Sequence, residues 1–138
     1  MMKYIRWQAV LAGLCIDIVL TIVCSSLLLS VYGAGEFDSG MDQREIQSQM
    51  ALLMAESNFI VLAFVVGMFC TAMGGFVAAR MAYQVPLYHA ALVGVLGIML
   101  GAYIGTQWGF WEIAGLLFTL PVAILGGYLA RAKIGNSK

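Results

Sequence analysis

The chain has 138 residues, of which 62% are hydrophobic and 10% charged, and its formal net charge is zero. Soluble domains carry about 25% charged and 45–50% apolar residues, and a fold of this size leaves too much surface outside to hide such a composition from water. A water-facing globule is excluded, zero net charge excludes a broad basic surface for nucleic acid, and the apolar residues must face lipid.

A helix needs about 20 apolar residues to cross a hydrocarbon core of ~30 Å. Four stretches qualify, at about residues 7–29, 59–79, 87–104 and 113–129. Continuous apolar runs rather than short alternating segments argue against a barrel. The expectation is an all-α polytopic protein: one domain, residues 1–138, with four transmembrane helices in a compact bundle.

The first span follows Lys3 and Arg6. Its apolar run exceeds the 7–15 residues of a signal h-region and no A-x-A site follows, so it reads as a retained span. Ala9, Gly13, Asp17, Thr21 and Ser25 are spaced four apart and share one face. Asp17 lies eleven residues beyond Arg6, which at 1.5 Å per residue is ~16 Å into the membrane. A carboxyl near the midplane is costly and belongs in the bundle interior.

Residues 33–56 form the one sizeable polar segment, expected outside the cytoplasm. Gly33, Gly35 and Gly40 mark a loop, after which Asp42 or Ser39 caps a helix expected to run on into span two with Ile46, Met50 and Leu53 on one face. Span two carries Ala63, Gly67 and Thr71 as its small stripe. Span three carries Gly97, Gly101 and Gly105 in a G-x-x-x-G-x-x-x-G row with Ala90 and Gly94 adjacent, and span four carries Gly115, Thr119 and Ala123. Such stripes let helix backbones approach closely in lipid. Helix packing is therefore assigned to Gly13, Gly67, Gly94, Gly97, Gly101 and Gly105, a glycine-zipper-like set.

Lys3, Arg6, Arg80, Arg131, Lys133 and Lys138 fall on one side and Arg44 alone opposite. The positive-inside rule makes that side cytoplasmic, with both termini there, and the bias argues against dual-topology insertion. Glu36, Asp38, Asp42, Glu45, Glu56 and Glu112 then lie outside. Trp108, Phe110 and Trp111 suit the outer aromatic belt, and Trp7, Tyr83 and Tyr88 the inner one.

Equal depth brings Cys70 and Thr71 of span two, Gly97 of span three, and Thr119 and Pro121 of span four to the level of Asp17. Pro121 lacks an N–H and frees the Leu117 carbonyl. Asp17, Thr21, Thr71, Thr119 and Pro121 thus form the candidate intramembrane polar site, with no basic residue at that depth. Two readings stay open: a hydrogen-bonded acid that holds helices or a partner subunit, or a proton or small-cation site. His89, at the start of span three, reads as an interfacial residue. Cys15, Cys24 and Cys70 sit in apolar runs as small hydrophobes, and their odd number without CxxC spacing points away from a disulfide framework or zinc site. No catalytic, cofactor or metal motif is recognisable.

Gly74-Gly75-Phe76-Val77-Ala78-Ala79-Arg80 at the end of span two resembles Gly126-Gly127-Tyr128-Leu129-Ala130-Arg131 at the end of span four, and Ala9, Leu11 and Gly13 match Ala90, Leu92 and Gly94. Two tandem hairpins would produce this pattern. The first motif, with the turn at Pro86 and His89-Ala90-Ala91-Leu92-Val93-Gly94, resembles that of many small uncharacterised four-helix proteins of the bacterial inner membrane. The resemblance spans about a third of the chain; it implies that membrane and no activity. Small multidrug transporters share four helices and one acid in the first span, but their aromatic and glycine signatures are missing here and their charge bias is weaker.

The functional expectation is a non-enzymatic interaction or accessory protein, packed with itself or with other membrane protein subunits in the lipid bilayer. The alternative is a small oligomeric channel or a proton- or cation-coupled transporter using Asp17.

Overall fold

A computed structural model describes residues 6–33, 40–82, 85–104 and 109–135. Lys3, Gly35, Glu36, Asp38, Ser39, Tyr83, Gly105, Trp108 and Lys138 lie outside them. The described residues form five helices: α1 (Trp7–Tyr32), α2 (Gln43–Ala55), α3 (Ser57–Met81), α4 (Pro86–Ile104) and α5 (Phe110–Gly135). All but α2 are long and apolar enough to cross a membrane. Helix is the form that such segments must take, because in hydrocarbon every backbone N–H and C=O has to be satisfied within the segment.

The four long helices run up and down in a bundle. Arg6 donates a guanidinium hydrogen bond to the Met81 carbonyl at 3.5 Å, and Ala79, Ala90 and Ala130 cluster tightly. These contacts gather the start of α1, the end of α3, the start of α4 and the end of α5 at what we term the near end. At the far end Tyr32 meets Phe59 edge-on at 5.5 Å, and Phe64 meets Trp111 at 5.7 Å.

Small residues occupy the inside and large ones the outside. Ala9, Val10, Cys70, Ala78, Val93 and Ala123 are buried, whereas Val31, Leu117 and Tyr103 are exposed. Lipid attracts apolar side chains as well as a protein core does, so helices associate through close backbone approach instead. The closest approach joins α3 to α5. A Cβ built on Gly75 would land on the Ala123 carbonyl, and one on Gly126 would land on the Ala72 carbonyl. The two repeat-like Gly-Gly segments thus make reciprocal contacts at one crossing.

The outer helix differs from the expected continuous one. Asp42 does cap it: its Oδ1 accepts the Arg44 and Glu45 backbone N–H groups at 2.8 Å, and Glu45 Oε2 accepts the Asp42 N–H at 3.0 Å, a complete capping box. However, α2 stops at Ala55, and Glu56 takes an extended conformation (φ −75°, ψ 117°) before α3 starts. The break lets α2 fold onto α3 and bury Leu53, while Ile46 stays exposed.

His89, at the start of α4, is 1% exposed and packed between helices. Its Nε2 accepts the Arg6 backbone N–H at 3.0 Å, so the ring proton sits on Nδ1 and is donated to the Val85 carbonyl, also at 3.0 Å. Arg6 precedes the first turn of α1, where backbone N–H groups lack helical partners, and the imidazole supplies one across the chain.

Candidate functional site: a cavity ending on Asp17

The bundle is tight at the near end and hollow beyond it. At the near end α1 meets both α3 and α4: a Cβ on Gly13 would fall 2.6 Å from the Gly74 carbonyl oxygen and 3.1 Å from Val93. The last buried residue of α1 is Asp17; none of the residues beyond it is buried. From that level outward a cavity of about 540 Å³, lined by all four long helices, opens in the bundle.

Helical spacing explains its walls. Leu14, Asp17, Ile18 and Thr21 share a face of α1, Gly67, Met68 and Thr71 one of α3, Gly97, Leu100 and Gly101 one of α4, and Glu112, Gly115, Leu116 and Thr119 one of α5. Ile18, Ile22 and Leu100 of the lining are themselves partly exposed, so the cavity is not sealed from the bundle surface.

Asp17 closes the inner end. It is 9% exposed, and its Cβ packs where Gly74 leaves room: a Cβ on Gly74 would stand 2.8 Å away. Thr71 Oγ1 donates to Asp17 Oδ1 at 3.4 Å. Among the described residues no hydrogen bond reaches Oδ2, and no enclosed side-chain oxygen or nitrogen lacks a partner. Oδ2 is therefore open to the cavity. Gly97 faces it, since a Cβ there would come within 4.0 Å of Oδ2.

The structure brings Asp17, Thr21, Thr71 and Thr119 to one cavity and leaves Pro121 out. Pro121 lies on the exposed outer face of α5 with Leu117. Two residues separate it from Thr119, a rotation of about 200° around the helix. Thr119 turns its hydroxyl to the Gly115 carbonyl of its own helix at 2.7 Å and presents its methyl toward Gly97.

The glycines divide similarly. Gly13 packs against α3 and Gly94 against Leu120 and Ala123 of α5, and a Cβ on Gly101 would lie 3.2 Å from Leu116. A Cβ on Gly67 or Gly115 would meet nothing within 4 Å, and both residues line the cavity. Gly105 lies outside the described residues. Glu112, which sequence places only as an outer acid, lines the far part of the cavity; its spacing from Gly115 and Thr119 was the available signal. Near the cavity's inner end Cys70 adjoins Cys24 and Thr21.

Among the described residues no three His, Cys, Asp or Glu side chains converge as metal ligands would. Compared with protein-family models, with curated proteins and with solved structures, the chain matches none. The cavity geometry therefore carries the functional argument.

Proposed function

We propose that this chain is a non-enzymatic, membrane-embedded binding subunit of the proton- or cation-coupled transporter or channel class, working through the Asp17 cavity. The observation that carries the reading is the open Oδ2 of Asp17 at the inner end of a hollow in the bundle. Thr71 engages one oxygen of the carboxyl, and the other, facing the hollow rather than a neighbouring helix, is available to a proton or a ligand. We place the subunit in a bacterial inner membrane with both ends cytoplasmic; Arg6, Arg80 and Arg131 at the near end support that orientation.

A second reading, an accessory subunit in a larger membrane assembly, draws on α1, whose far half packs on α3 without burying a residue. A flux assay in proteoliposomes separates the two. With an imposed membrane potential and an internal pH dye, wild type is expected to pass protons and Asp17→Asn to fall to background. Background flux from both would remove the transport reading. Purification from the native membrane with companions at fixed ratio would then establish the accessory one.

A further inference from the structure

We infer that the cavity binds a monovalent cation with an apolar body, which pairs its charge with Asp17. The inference rests on the reading of the cavity as a binding site and adds the chemical class of what occupies it.

Charge sign comes first. The ionisable side chains lining the cavity are Asp17 and Glu112; no Lys, Arg or His lines it. An anionic lipid or fatty acid would thus meet two acids and no counter-ion. Valence and hydration come next. A divalent metal needs several oxygen ligands in its first shell, and no such cluster exists among the described residues. A small hydrated ion would need polar walls, whereas beyond Asp17, Thr21, Thr71, Thr119 and Glu112 the walls are aliphatic, methionine or glycine. An apolar body satisfies those walls and its charge satisfies Oδ2.

Size agrees. Small-ligand sites enclose roughly 300–1,000 Å³, and about 540 Å³ lies within that range. Three turns of a partner helix, ~16 Å long and ~10 Å across, would displace over ~1,200 Å³, so the hollow suits a molecule rather than a helix. A Cβ added to Gly67 or Gly115 would meet nothing within 4 Å, so both positions border open room.

The test is equilibrium binding to the full chain in lipid nanodiscs, with empty nanodiscs subtracted, using radiolabelled tetraphenylphosphonium and its anionic counterpart tetraphenylborate, which has nearly the same shape. Wild type is expected to bind the cation saturably and not the anion. Asp17→Asn, which keeps a hydrogen-bonding group, should weaken the cation by roughly a hundredfold. Gly67→Leu and Gly115→Leu, which project into open space, should abolish binding while the protein stays folded by circular dichroism. Equal binding of the anion, or cation binding unchanged in Asp17→Asn, would overturn the assigned charge. Cation binding unchanged in both leucine variants would overturn the location. Absence of cation binding to wild type would overturn the inference as a whole, yet leave the proposed function standing if proton flux still depends on Asp17.

Discussion

Gly97 stands opposite the open oxygen of Asp17: a methyl group on its Cα would lie 4.0 Å from Oδ2 and 3.6 Å from the Thr119 methyl. Both distances are ordinary contacts, so Gly97→Ala is expected to keep the fold with an unchanged thermal midpoint. Gly97→Phe would drive a ring into the cavity and bring Asp17-dependent flux to background. Full flux in the Phe variant would show that the path avoids this cavity.

The α3–α5 crossing answers differently. A Cβ at Gly75 or Gly126 lands on backbone atoms of the facing helix, which cannot swing aside as a side chain can. Overpacking costs ~1–3 kcal/mol even where neighbours yield. Gly126→Ala and Gly75→Ala should each lower the thermal midpoint in detergent sharply, whereas Gly67→Ala should not. Equal melting of all three would mean that the crossing is looser than described.

His89 offers a test of a buried polar pair. His89→Leu strips the partner from the Arg6 N–H and the Val85 carbonyl, and leaving a buried group unpaired costs ~1–3 kcal/mol. Gln carries one donor and one acceptor and should recover much of the loss. Thermal melting of the two variants measures this; identical destabilisation would show that volume alone matters there.

The outer helix should be separable from the cavity. Asp42→Ala removes the capping box and about 1 kcal/mol of local helix stability. Hydrogen exchange is expected to speed up at residues 44–47 while flux is unchanged. Exchange at the wild-type rate would assign the stability of α2 to its packing on α3 instead.

The four spans were legible because lipid demands unbroken apolar runs of fixed length, whereas the small-residue stripes did not say which of their members meet a facing helix. What stayed hidden was azimuth and splay. Counting depth put Pro121 level with Thr119, yet height alone does not say which way a side chain points, and Pro121 faces outward. Gly67 shares a stripe with Thr71, but small residues touch a neighbour only near a crossing, and at Gly67 the helices have already diverged. The break at Glu56 has no Gly or Pro to mark it; burial of Leu53 against α3 accounts for it. Conversely, the paired Gly-Gly motifs read as a repeat, and their mutual contact across α3 and α5 emerged only with the fold.

That crossing also decides where the molecule can yield. Two backbones wedged together at Gly75–Ala123 and Gly126–Ala72 behave as a rigid post, with no slack to slide or rotate. The part of α1 beyond Asp17, by contrast, buries no residue, while its root is packed at Gly13 and Val10. Asp17 stands at the boundary between the two regimes, so any displacement of the loosely packed arm would regroup the partners of the carboxyl in the same movement.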